Sequence, residues 1–86
     1  MPDTIMVIAE RLLSLREALA LTQAELCRRI GMEPNRWNQY EKGERRITLD
    51  AASRLRDEFG VTLDWVYFGD RSGLPSALAA KVRKAA

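Results

Sequence analysis

The chain has 86 residues, a formal net charge of +2, one cysteine and no histidine. That is enough for one small domain, and a domain of this length buries only roughly 60% of the surface its unfolded chain exposes, so a partner subunit would help it. A lone cysteine without histidine excludes a disulfide scaffold, a zinc cluster, a Cys–His nucleophile and an imidazole general base within one chain.

No apolar run approaches the ~20 residues that span a bilayer, and MPDTIMVIAERL lacks the marks of a signal peptide. A reducing cytoplasm is the expected setting, with no membrane contact. Charge is unevenly spread. Residues 32–47 are net +1, residues 48–70 net −3 and residues 71–86 net +4. The acidic stretch is unsuited to a polyanion, whereas the other two could face one.

Ile5, Ile8, Leu12, Leu15 and Leu19 recur at spacings of three and four, which predicts a first helix over about 4–20, capped by Asp3 or Thr4. Thr22-Gln23-Ala24-Glu25 is a capping box opening a second helix. Its Ala24, Leu26, Cys27 and Ile30 should turn inward and its Arg29 outward, and Gly31 should end it in a left-handed conformation. Pro34 suits a first helical turn, so a third helix runs from 34 to Glu41 or Lys42 and stops at Gly43. Two helices around Gly31-Met32-Glu33 describe a helix-turn-helix.

Thr48 or Asp50 opens a fourth helix with Leu49, Ala52, Leu55 and Phe59 inward, ending at Gly60. Thr62 caps a fifth, LDWVYF, ending at Gly69. Asp70–Gly73 reads as a linker. Residues 75–84 form a basic sixth helix with Leu78 and Val82 on one side, or stay frayed. The fold class is therefore all-α: a domain over 1–70, followed by a basic tail over 71–86.

The third helix, PNRWNQYE, carries the functional signal. On a helical wheel Asn35, Asn38, Gln39 and Lys42 share one face, while Trp37, Tyr40 and Glu41 lie opposite. Buried aromatics would leave the amide face open. Any single polar residue on a helix is ordinarily just solvated. Four along one stripe, beside a capped helix and a helix-turn-helix turn, point to an interface. A carboxamide can pair with N6 and N7 of adenine in a major groove, and Arg36 can reach guanine or a phosphate. In GERRIT, Arg45 and Arg46 look like a phosphate grip, with a solvated loop as the plainer reading. Arg28 and Arg29 read as solvated helix surface, and Cys27 as a small core residue.

At this point the sequence resembles the phage-repressor/Cro type of helix-turn-helix, also called the xenobiotic-response-element family. The resemblance covers residues 15 to 70 and rests on LTQAEL, the YEKG ending of the third helix and GVTLDWVYFG. It implies a five-helix domain that binds double-stranded DNA operators, usually as a homodimer, with no cofactor. It further implies that Gln23 grips a phosphate and supports the recognition helix. Asn35 and Gln39 would read base edges, and Pro34 would touch bases at the helix start. Arg36 and Asn38 would contact bases or backbone. Lys42, Arg45 and Arg46 would hold phosphates, and Arg16 with Glu41 would form a partly buried ion pair. Two positions depart from the family's pattern: Trp37 replaces a small or β-branched residue, and Glu33 a Ser or Thr.

Two functions follow. One is a sequence-specific transcriptional regulator, a dimeric repressor on a palindromic operator, controlled by concentration, a protein partner or autoregulation. The other is an antitoxin or antiactivator that uses the same fold to hold a protein. An enzyme is disfavoured, with no Gly-rich phosphate loop and no supported carboxylate pair. The surplus of aromatics in LDWVYF suggests a two-fold interface or packing beneath the tail.

Overall fold

A computed structural model describes residues 1–83 as six helices. They are α1 (Ile5–Leu19), α2 (Gln23–Ile30), α3 (Pro34–Glu41), α4 (Leu49–Phe59), α5 (Leu63–Phe68) and α6 (Ser76–Lys81). No strand occurs among the described residues.

Four of the helices begin at a threonine, Thr4, Thr22, Thr48 and Thr62, whose hydroxyl accepts from an amide of the first turn. Such a cap satisfies one of the otherwise orphaned amides. Asp3, the other candidate for the first cap, is used differently: its carboxylate lies 2.7 Å from the Arg11 guanidinium. Gly31 ends α2 at φ +68, a left-handed conformation that costs glycine nothing. Ala20 ends α1 in the same region at φ 57, without glycine's freedom.

The apolar stripe of α1 packs against α3, α5 and α6. Leu12, Leu15, Leu26, Trp37, Leu55, Val61, Trp65 and Val66 are fully enclosed. Cys27 belongs to this core at 1% exposure, and burial pushes its thiol up from the ordinary value. Iodoacetamide should therefore label the native protein far more slowly than the urea-unfolded one, as mass spectrometry would record.

Two inward assignments are corrected. Ala24 lies on the exposed side of α2. Leu49 is 63% exposed. As the first residue of α4 it stands at the rim, while Ala51 and Ala52 make the buried contact. Arg29 is exposed, yet it pairs with Glu58 at 3.0 Å and stacks 5.0 Å above the Phe59 ring.

The stretch after Asp70 is ordered by its own contacts. Asp70 accepts from the amide and hydroxyl of Ser72, which hold its carboxyl below the usual range. Leu74, Leu78 and Val82, four residues apart, are buried. Arg71 donates to the carbonyls of Ala79 and Arg83 near the end of α6. The Arg83 amide donates to Ser14 Oγ at 2.7 Å, and its guanidinium pairs with Glu17 at 2.6 Å. The helical alternative is the one realised, because α1 supplies its dock. Lys84, part of the expected basic helix, lies outside the described residues.

Candidate nucleic-acid interface

The turn between α2 and α3 is built by local rules. Thr22 and Glu25 form the reciprocal capping box, with bonds of 3.1 and 2.8 Å. These bonds hold the Glu25 carboxyl below its usual range. Beyond Gly31, the Met32 amide returns to the Cys27 carbonyl at 2.9 Å. Glu33 is the N-cap of α3 but makes no side-chain cap bond, so Pro34 and the buried aromatics carry the start of this helix. Arg54, on α4, donates to the Gly31 carbonyl at 2.7 Å and fastens the turn from behind.

Trp37 and Tyr40 are 0% and 1% exposed, with ring centroids 6.3 Å apart at 80°. Edge-to-face packing of this kind adds about 0.5–1.5 kcal/mol to the value of the buried area. With these rings inside, the opposite side of α3 must face out. Pro34, Asn35, Arg36 and Lys42 are exposed, and Asn38 and Gln39 are half-buried.

The two inner amides are partly covered for identifiable reasons. The main-chain carbonyl of Gln39 accepts from the main-chain amides of Glu44 and Arg45, which folds the following loop back against it. Asn38 accepts a 3.1 Å hydrogen bond from Gln23, at the start of α2. Gln23 also donates to Glu41 at 3.0 Å.

Glu41 is the centre of this region, with its side chain only 6% exposed. Arg16 approaches both of its oxygens, at 2.6 and 3.1 Å. That bidentate bond, the largest influence on it, raises the Arg16 guanidinium's already high value. The indole N–H of Trp37 donates to the same carboxylate. The expected Arg16–Glu41 pair is thus present, and it is joined by two donors that sequence reasoning did not assign. Trp37 and Glu41 stand one helical turn apart, which was a legible cue. No spacing rule connects Gln23 with Asn38.

In the loop after α3, Arg45 and Arg46 are both exposed. Arg46 donates to the Asp3 carbonyl at 2.9 Å, and the Tyr67 hydroxyl donates to the Ile47 carbonyl at 3.0 Å. The loop is therefore braced by the N-terminal segment and by α5. Arg36, Lys42 and Arg45 make no ion pair among the described residues.

A capped helix, a tight turn and a second helix with aromatics inside and amides outside, flanked by unpaired cations, define a helix-turn-helix protein. A helix-turn-helix family model matches residues 12–66, and the chain belongs to that family, the Cro/C1 type of DNA-binding regulators. No curated protein and no solved structure matches the chain. Among the described residues, no helix is long and apolar enough to cross a membrane.

Proposed function

We propose that this DNA-binding regulator is a sequence-specific repressor that acts as a dimer on a palindromic operator. The observation that carries the reading is the outward stripe of α3, with Asn35, Arg36, Asn38 and Gln39 held in place by the fully buried Trp37. Gln39 and Asn35 would read base edges, and Pro34 would lie against the bases at the helix start. Lys42, Arg45 and Arg46 would neutralise phosphates along one strand. In a two-fold dimer the two α3 helices would enter successive major grooves about 34 Å apart. The 53% exposed Phe68, beside the buried Trp65 and Val66, leaves apolar surface for a second copy. A bound dimer would exclude polymerase from an overlapping promoter, and the chain's own upstream region is the first site to test.

Selection of bound duplexes from random DNA is the test. The expected product is a symmetric pair of half-sites. Affinity should fall steeply with salt, because each neutralised phosphate releases counterions. Gln39→Ala should weaken the selected site by about 1–3 kcal/mol and leave nonspecific binding almost unchanged, as titration of both duplexes would show. Arg45→Ala should weaken all sequences alike and reduce the salt slope by about 1. Failure to enrich any duplex would favour the protein-binding alternative, an antitoxin or antiactivator.

A further inference from the structure

Resting on that DNA-binding reading, we infer that Asp3 is a positioning residue for the interface. Its main-chain carbonyl holds Arg46 ready for a phosphate, and Arg11 keeps the Asp3 carboxylate from taking that place.

Arg11 is 3% exposed, and its guanidinium donates to the Val66 carbonyl at 2.8 Å and to the Asp3 carboxylate at 2.7 Å. The Asp3 amide donates to the Tyr67 carbonyl at 2.8 Å. Side chain and main chain of Asp3 are thus both fastened to the end of α5, which sets the direction of its carbonyl. That carbonyl accepts from Arg46 Nη1 at 2.9 Å. The loop is fastened to the same helix, because the Tyr67 hydroxyl donates to the carbonyl of Ile47, the residue after Arg46. Nearby, the Met6 sulfur occupies the place that a side chain at Gly43 would take. The main-chain amides of Glu44 and Arg45 tie the loop to Gln39 as well, so Arg46 stands next to the second half of α3.

Asp3 could offer Arg46 either of two acceptors, and they differ in consequence. A carboxylate would fix the side chain and also neutralise the charge that draws it to a phosphate. A neutral carbonyl fixes it and leaves the charge whole. Arg11 decides between them, because it engages the carboxylate. Arg46 makes no ion pair among the described residues, and its Nε–Nη2 edge keeps two parallel N–H bonds for the oxygens of one phosphate. Ordering a long side chain during binding lowers affinity by about two- to twelvefold. Arg46 is ordered beforehand and escapes that loss.

The experiment is a double-mutant cycle of Asp3→Ala and Arg46→Ala, read as affinity for a duplex selected by the wild type and for an unrelated duplex. Asp3→Ala cuts the segment loose from Arg11, so its carbonyl no longer meets Arg46. Both duplexes should then bind about two- to twelvefold more weakly, since a phosphate contact carries no sequence information. In the Arg46→Ala background the same substitution should change affinity by less than about twofold. A merely structural role for Asp3 would weaken binding equally in both backgrounds, and that result would overturn the inference. Unchanged affinity of Asp3→Ala, or Arg46→Ala binding both duplexes as tightly as the wild type, would overturn it too. Urea unfolding reports the folded fraction of each protein. If Asp3→Ala folds poorly, an ester in place of the Asp3–Thr4 peptide bond, introduced by ligation at Cys27, keeps every side chain and weakens only the Asp3 carbonyl as an acceptor. It should bind more weakly than the amide protein when Arg46 is present and equally when Arg46 is alanine; equal binding in both cases would sink the proposal. A wild type that enriches no duplex rejects the DNA-binding reading itself, and this inference falls with it. The other adverse results reject this inference alone.

Discussion

Trp37→Ala is expected to cost about 3–5 kcal/mol of folding stability, measured as the shift in the urea unfolding transition. The side chain is completely enclosed, so its removal leaves a large cavity between α3 and the rest of the core. It also removes the edge of the aromatic pair with Tyr40 and one donor to Glu41. Small domains have totals of about 5–15 kcal/mol, and the lower part of that range suits 86 residues, so most of the margin would go. DNA binding would be lost because α3 no longer has a fixed seat, not because a contact with DNA is missing. Trp37→Phe separates the two terms. It keeps most of the apolar area and removes the indole donor, and a loss of about 1–3 kcal/mol is expected for the acceptor and shape left unmatched. A Trp37→Ala protein with an unchanged unfolding midpoint would show that the indole is not the anchor of α3, and the outward stripe would lose its physical basis.

The recognition face was legible because it follows from periodicity and size alone. Two bulky rings three residues apart on an eight-residue helix must share a side, and their burial decides where the amides go. The helix starts were legible for a similarly local reason: a threonine hydroxyl reaches an amide only three residues away. Small or terminal apolar residues were misplaced, because Ala24 and Leu49 contribute too little to hold their helices in a particular rotation. Arg11 gave no signal at all. It is 3% exposed, within the apolar stripe of α1, and its partners are Asp3 and the distant Val66 carbonyl, 55 positions along the chain. The Arg16–Glu41 pair was likewise invisible to spacing and came only from family resemblance. Family resemblance implied that Gln23 supports the recognition helix, but nothing in the sequence paired it with Asn38. Their mutual orientation depends on how α2 and α3 cross.

Glu41→Ala should be about as damaging as losing the tryptophan, for an electrostatic reason. One carboxylate collects Arg16, Gln23 and Trp37. Removing one partner of a buried ion pair typically costs about 3–5 kcal/mol, because the other charge stays desolvated. Arg16 is 20% exposed and donates to the Leu21 carbonyl as well, so water and that carbonyl recover part of the loss. The lower end, about 3 kcal/mol, is therefore expected. Replacing both charges, Arg16→Met with Glu41→Met, should restore about a third of that loss, since no charge is left uncompensated. The recovery should stop short of the wild type, because the Trp37 and Gln23 donors still lack their acceptor, at about 1 kcal/mol each. The unfolding free energy of the double variant in urea, compared with that of the wild type, measures that remainder directly. Complete recovery would mean that the indole and amide bonds to Glu41 contribute nothing to stability. A remainder of about 2 kcal/mol would show that the buried carboxylate stabilises the fold through these two donors as well as through Arg16.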